Sequence, residues 1–245
     1  MPMSTTDSRA THPFPYKPED ASALSRLEKR LPTLLSVIAG MVDLTGYLNL
    51  GNLFTAHITG NLVAVAALVV RGGRMNPAQV LAIPVFILGV AAIWLLARAS
   101  GRQGPGLARL LLLIQFLLLA GALIFSAITK PSANPHGLMA GVTAMLAVSA
   151  MACQFALLRL VLPVAPSTAV MTGNLTNTVL SLLDTLARTR PLMAGDAERL
   201  RGSWHLLIGF LGGCVVAAAA VSLLGDWAWS FPVALAGMAV TLGWK

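Results

Sequence analysis

Hydrophobic residues fall along this chain in long continuous stretches separated by short polar segments. Six of these stretches have the length of about 20 residues that is needed to cross a hydrocarbon core of about 30 Å. They lack the alternating pattern of barrel strands, so the pattern predicts membrane-spanning α-helices. The six stretches are Leu31–Leu50, Pro77–Ala97, Leu107–Ile128, Leu138–Leu158, Ser203–Leu224 and Ala228–Trp244.

A repeated octet divides the chain into two similar parts. Thr55–Leu62 reads TAHITGNL, and Thr168–Leu175, 113 residues later, reads TAVMTGNL, identical at six of eight positions. Each octet follows a long apolar stretch, opens a shorter one and precedes two further long ones. This shared order predicts an internal duplication. The predicted units are a polar tail of residues 1–30, a first repeat of residues 31–132 and a second repeat of residues 133–245.

Composition agrees with a polytopic membrane protein. The chain is 56% hydrophobic and 11% charged, with a mean hydropathy of +0.77, whereas soluble domains have about 25% charged residues. The net charge of +8 does not indicate nucleic-acid binding, because basic residues at helix ends orient membrane proteins. We expect an all-α protein that is in contact with the lipid bilayer and has its N-terminus in the cytoplasm.

The two shorter stretches, Leu53–Val70 and Ala169–Leu186, leave the topology open. If both cross the bilayer, the protein has eight spans and parallel repeats. If both enter and leave on one face, it has six spans, and the two repeats run in opposite directions. Most Lys and Arg residues lie on the side of the tail in either case, so charge does not decide between these alternatives.

The triplets Thr59-Gly60-Asn61 and Thr172-Gly173-Asn174 are the first candidate site residues. Thr or Asn can cap a following helix, and Gly permits unusual backbone angles or close contact. A helix that starts inside the membrane directs free amides at its surroundings, which suits an anion or a polar oxygen. The alternative is that these small and polar residues only pack helices together.

Asp43 is the second candidate, because a carboxylate in an apolar helix is costly unless it faces a cavity, a partner or a proton path. Tyr47 and Asn49 follow it in the same polar stretch, and we include both in the predicted site. Gln154 takes the place of Asp43 in the second repeat when two residues are gapped. His57 has no counterpart there, since Val170 occupies its position; a proton-sensing role and an ordinary interfacial role both remain open.

These residues carry a family resemblance. Asp43-x-x-x-Tyr47-Leu48-x-Leu50-Gly51, Phe54, the two Thr-Gly-Asn triplets and Gln154 resemble the YoaK-like family of bacterial membrane proteins, a domain of unknown function. The resemblance covers roughly residues 30–244 and implies an inner-membrane location. The chain differs from the family pattern at Cys153 and Phe155, where a Gly and an Asn are expected.

Three functional classes are compatible with the sequence. The duplicated, interrupted segments and Asp43 favour a channel or secondary transporter for a small polar or anionic solute. A non-catalytic assembly or regulatory protein is the alternative. A membrane-embedded enzyme is disfavoured, because the chain has no HExxH, GxSxG or nucleotide-binding glycine motif. We expect no cofactor and no metal site, and the sequence allows a homo-oligomer.

Overall fold

The computed structural model describes residues 18–72, 76–163, 168, 171–187 and 194–244. These residues contain helices and no strand. The α-helices are α1 (Pro18–Asn49), α2 (Ile58–Arg71), α3 (Pro77–Ser100), α4 (Gly104–Thr129), α5 (Leu138–Val161), α6 (Met171–Ala187), α7 (Ala194–Leu224) and α8 (Ser230–Trp244). Two short 3-10 turns, Pro131–Ala133 and Gly225–Trp229, precede α5 and α8.

The six long apolar stretches all form helices, which confirms the predicted fold class. Among the described residues, five segments are long and apolar enough to cross a membrane, and the last of them, Leu200–Trp244, contains most of α7 and all of α8. The helix α1 begins at Pro18, within the predicted polar tail, and passes through Pro32 without ending. Most of the predicted polar tail, residues 1–17, lies outside the described residues.

The helices pack in an order that is repeated in the two halves. The most extensive contact joins α1 to α7, and its counterpart joins α5 to α3. In the same way α2 packs on α3 and α6 packs on α7. The first helix of each half therefore packs against the third helix of the other half, so the two halves are interlocked.

Small residues allow α1 and α7 to approach closely. A Cβ atom on Gly40 would overlap the carbonyl of Phe210, and one on Gly213 would overlap the carbonyl of Val37. The Ser36 hydroxyl also donates to the Leu206 carbonyl at 2.6 Å. Packing of this kind, with small residues and interhelical hydrogen bonds, is how membrane helices associate without a hydrophobic driving force.

Hydrogen bonds define one end of the bundle, which we call the far face. The Asn49 side chain of α1 donates to the Gly225 carbonyl after α7, and the Asn76 side chain before α3 donates to the Gly51 carbonyl. The hydroxyl of Ser132, between α4 and α5, donates to the Asp226 carboxylate at 2.7 Å. The ends of α1, α4 and α7 and the starts of α3, α5 and α8 thus meet at this face.

The other end is the tail face, where α1 begins. The side chain of Arg109, near the start of α4, donates to the carbonyl of Gly243, at the end of α8. Gly104 lies near Leu24 of α1. The helices α1, α4 and α7 therefore run from the tail face to the far face, and α3, α5 and α8 run back.

The helix α2 does not cross the bundle. It begins beside Asp43, six residues before the end of α1, and its 14 residues span about 21 Å, less than a hydrocarbon core. Only a few residues separate its end from Asn76 at the far face, so α2 returns to the face from which its loop entered. The helix α6 lies between α5, which ends at the tail face, and α7, which begins there. Both motif helices are re-entrant, and the repeats are inverted.

Cysteine labelling from one side of the membrane tests this topology. We expect Ser25→Cys and Arg102→Cys to react with an impermeant maleimide on one side, and Gly72→Cys and Lys130→Cys on the other. The physical reason is that α2 returns to the far face. If Gly72→Cys reacted on the same side as Ser25→Cys, α2 would be a full span and the repeats would be parallel.

Candidate functional site

The centre of the candidate site in the first half is the carboxylate of Asp43, which is buried six residues before the end of α1. One of its oxygens, Oδ1, accepts the backbone N–H groups of Thr55 and Ala56, both at 2.8 Å, and that of His57 at 3.4 Å. Its other oxygen lies 2.6 Å from Nδ1 of His57. A single side chain therefore holds the last three residues of the loop that leads into α2.

The chain reaches Asp43 by reversing at the end of α1. Gly51 and Asn52 both have positive φ values, of 69° and 59°, which turn the backbone away from the helix direction. The loop then runs back along α1 in close contact, since a Cβ atom on Gly46 would lie only 2.7 Å from a methyl group of Thr55. This local geometry explains why glycine occupies positions 46 and 51.

The first triplet fixes the loop from the other side. Asn61 is fully buried; its Oδ1 accepts the backbone N–H of Phe54 at 2.9 Å, and its Nδ2 donates to the carbonyl of Phe54 at 2.6 Å. Gly60 is helical and lies against the Phe54 ring, which a Cβ atom would approach to 2.9 Å. Its role is therefore close contact, and no special backbone angle is involved.

A cleft of about 410 Å³ opens beside Asp43. Small-molecule sites occupy roughly 300–1,000 Å³, so its size suits a small solute. The walls come from α1, from the loop before α2 and from α7 of the other half. The lining residues are Asp43, Leu44, Tyr47, Phe54, His57, Phe210 and Cys214.

His57 is the lining residue of the type that commonly gains or loses a proton near neutral pH. Its imidazole ring stacks edge-on against Phe210, with ring centroids 5.1 Å apart, and its side chain is 31% exposed. It lies in the loop between α1 and α2, outside the spanning helices. The hydrogen bond to Asp43 raises the pKa of His57 above its usual value of 6.5, and this effect outweighs burial, which lowers it.

The second half repeats this arrangement with an uncharged residue. Gln154 is fully buried, and its Nε2 donates to the carbonyl of Leu35 on α1 at 3.0 Å and lies 3.5 Å from the hydroxyl of Thr168. Its Oε1 accepts from the side chain of Gln115 at 2.8 Å. Thr168 is the counterpart of Thr55, so Gln154 contacts the second loop at the position where Asp43 contacts the first.

The two triplets occupy equivalent places, as the repeat predicts. Thr59-Gly60-Asn61 lies in the first turn of α2, which begins at Ile58, and Thr172-Gly173-Asn174 lies in the first turn of α6, which begins at Met171. The predicted capping is wrong for the first triplet, because α2 has no side-chain cap at all. Instead, the carboxylate of Asp43, which belongs to α1, accepts hydrogen bonds from the backbone N–H groups that precede α2.

The predicted site residues fall into two groups. Asp43 and Tyr47 line the cleft, while Gly60 and Asn61 shape it through Phe54, and Asn174 is buried in α6. The others lie elsewhere. Asn49 bonds to Gly225 at the far face, Thr59 and Thr172 are exposed, and Gln154 lies at the level of Leu35, eight residues and about 12 Å from Asp43 along α1.

Sequence reasoning missed Phe54, Phe210 and Cys214 as lining residues. A signal for one of them is present, because Phe86-x-x-Gly89 in α3 recurs as Phe210-x-x-Gly213 in α7. The two glycines are structurally equivalent. Gly89 lies against Ala152 of α5, as Gly213 lies against α1. Phe86 therefore faces α5, the helix of Gln154, and Phe210 faces α1, the helix of Asp43. The ring of Phe86 packs against that of Phe155 in α5, with ring centroids 6.0 Å apart.

Comparison with known proteins gives a family and no activity. No curated protein and no solved structure matches the chain. One family model, described as protein of unknown function (DUF1275), matches residues 31–242, which include every helix from the apolar part of α1 to α8. The match agrees with the resemblance to the YoaK-like membrane proteins. Its extent shows that this multi-pass membrane protein belongs to the DUF1275 family.

Proposed function

We propose that the protein moves a small polar solute across the membrane, as a channel or a secondary transporter. The observation that carries the proposal is the inverted pair of re-entrant helices, each beginning beside a buried polar residue of a spanning helix. Inverted repeats with interrupted helices at mid-membrane are a recurring construction of secondary transporters. The Asp43 cleft, formed between the two halves, is the proposed solute site.

The location of the two polar residues supports this proposal. Asp43 and Gln154 are reached from opposite faces, by the loops before α2 and α6. Asp43 belongs to α1 and Gln154 bonds to Leu35 of α1, so their levels are about 12 Å apart along the axis of this helix. A solute that passes between these levels crosses about 12 Å of a hydrocarbon core that is about 30 Å thick. We place the tail on the cytoplasmic side of a bacterial inner membrane, because most basic residues lie at the tail face.

An enzymatic role is less well supported by the cleft. Asp43, His57 and Cys214 are side chains of the kind found in nucleophilic enzymes, in which the base must lie within hydrogen-bond reach of the nucleophile. The Sγ of Cys214 instead lies 3.5 Å from the carbonyl of Gly40. We therefore propose a function without covalent chemistry.

Uptake into liposomes tests the proposal. We expect the purified protein to carry at least one of choline, methylammonium, glycerol and acetate faster than protein-free liposomes do. If none of the four enters above that background, the non-catalytic assembly role becomes the better interpretation.

A matched pair of phenylalanines shows whether the solute uses the cleft. Phe210→Ala removes one aromatic wall and should raise the half-saturating concentration roughly fivefold, the equivalent of about 1 kcal/mol. Phe86→Ala changes the equivalent residue of the first half, outside the cleft, and should leave this concentration unchanged. Equal effects of the two variants, per folded molecule, would place the path elsewhere.

A further inference from the structure

The Asp43 cleft combines one carboxylate with a wall of aromatic rings. Tyr47 and Phe54 stack with ring centroids 5.1 Å apart, and Phe210 closes the side contributed by α7. Aromatic faces attract cations, most strongly where water is excluded. A carboxylate in a cleft lined by aromatic rings is therefore complementary to a positively charged organic group.

The same geometry argues against an anion in this cleft. The backbone amides that precede α2 would suit an anion only if they were free. Three of them already donate to Oδ1 of Asp43, so the protein's own carboxylate occupies that position. An anionic solute would also be repelled by Asp43.

His57 competes for the charge of Asp43. When protonated, it forms an ion pair with the carboxylate at 2.6 Å, and a second cation gains little there. When His57 is neutral, the pair carries a net negative charge in an apolar surrounding, where a cation is strongly favoured. Its partial exposure to the cleft gives the proton a route in and out.

We propose that the solute is a small organic cation, a protonated or quaternary amine, that binds at Asp43 in competition with a proton on His57. The proposal rests on the transport function proposed above and adds the class of solute and its coupling. One cation enters the site as one proton leaves it, so the exchange conserves charge in the cleft.

The other titratable groups around His57 are few. They are Asp43 and Tyr47 from α1 and Cys214 from α7, and the first turn of α2 has none. Since the hydrogen bond to Asp43 raises the pKa of His57 above 6.5, the competition extends to higher pH than it would for an unperturbed histidine.

The repeat supports the same assignment independently. Asp43 and His57 are positions at which the first half is ionisable and the second half is not, since Gln154 and Val170 stand in their places. These two unmatched residues contact each other. If two residues share one role, both are expected to be replaced in a repeat that lacks this role. Here the shared role is the binding of a cation or a proton.

Choline binding to purified protein in detergent tests the proposal. We expect radiolabelled choline to bind at least about tenfold more tightly than its neutral isostere dimethylbutanol, in which carbon replaces the charged nitrogen. Choline affinity should rise with pH, by up to about tenfold per pH unit below the pKa of His57, and then level off. Equal affinity for choline and dimethylbutanol, or choline affinity that is constant with pH, would overturn the proposal.

Two histidine variants separate competition from a general effect of pH. His57→Gln should bind choline with no dependence on pH between about pH 5.5 and pH 8.5. His205→Gln, which alters an exposed histidine of α7, should keep the wild-type dependence. A His57→Gln protein that is folded by size-exclusion chromatography yet retains the pH dependence would also overturn the proposal.

Failure of this inference is distinguishable from failure of the transport function. If liposomes take up glycerol or acetate while choline neither binds nor enters, the cation assignment is wrong and transport stands. If choline binds with the expected pH dependence but no solute is taken up, the site is real and the transport function is wrong.

Discussion

Replacing Gly213 with alanine should lower the melting temperature of the detergent-solubilised protein by about 5–10 °C, from an overpacking cost of about 1–3 kcal/mol. The added Cβ atom would overlap the carbonyl of Val37 and lie 3.1 Å from the backbone nitrogen of Met41. Both are main-chain atoms of α1, so no side chain can rotate away. The helices α1 and α7 must separate, and their contact is the most extensive in the bundle.

The neighbouring glycine provides a matched control. Gly212 lies in the same helix, and a Cβ atom there would meet nothing within 4 Å. Gly212→Ala should therefore melt within a few degrees of the wild type, or slightly above it, because alanine is the better helix former. If Gly212→Ala and Gly213→Ala lowered the melting temperature equally, the close contact between α1 and α7 would not exist as described.

Removing the Asp43 carboxylate should be the most damaging single change in the first half. In Asp43→Ala, the amides of Thr55 and Ala56 lose their acceptor inside the bundle. Hydrogen bonds to charged groups contribute about 1.5–3 kcal/mol each, so we expect the loop before α2 to detach. Thermal melting and limited proteolysis of the loop in detergent would measure the loss.

The Asp43→Asn variant should behave differently, because its amide oxygen can still accept these two N–H groups. We expect its melting temperature to stay close to that of the wild type and its loop to remain protected from protease. Should Asp43→Ala prove as stable as Asp43→Asn, the carboxylate would not hold the loop.

The sequence predicts the fold well because membrane helices are encoded locally. Long apolar stretches identify the six crossing helices, and the octet repeat places Thr59-Gly60-Asn61 and Thr172-Gly173-Asn174 at equivalent helix starts. The re-entrant path of α2 is not encoded locally. It depends on bonds such as that from Asn76 to Gly51, which join segments that are distant along the chain.

The candidate site is only partly visible in the sequence. Asp43 stands out as the one carboxylate within the six long apolar stretches, but the residues that it contacts could not be identified. The sequence suggested that Thr59 or Asn61 caps α2. In the structure Asp43 accepts the backbone N–H groups before α2, and Asn61 bonds to Phe54. Phe210 comes from the other half of the chain, and only the packing of α7 on α1 brings it to the cleft.

The most direct test of the account is the initial rate of solute uptake by liposomes that contain equal amounts of folded wild-type or Asp43→Asn protein. The substitution keeps the loop in place and removes the charge at the centre of the cleft. For a solute that the wild type carries, we predict that Asp43→Asn lowers the rate at least about tenfold, a change of about 1.4 kcal/mol. A wild-type rate in this variant would show that the solute does not use the Asp43 cleft.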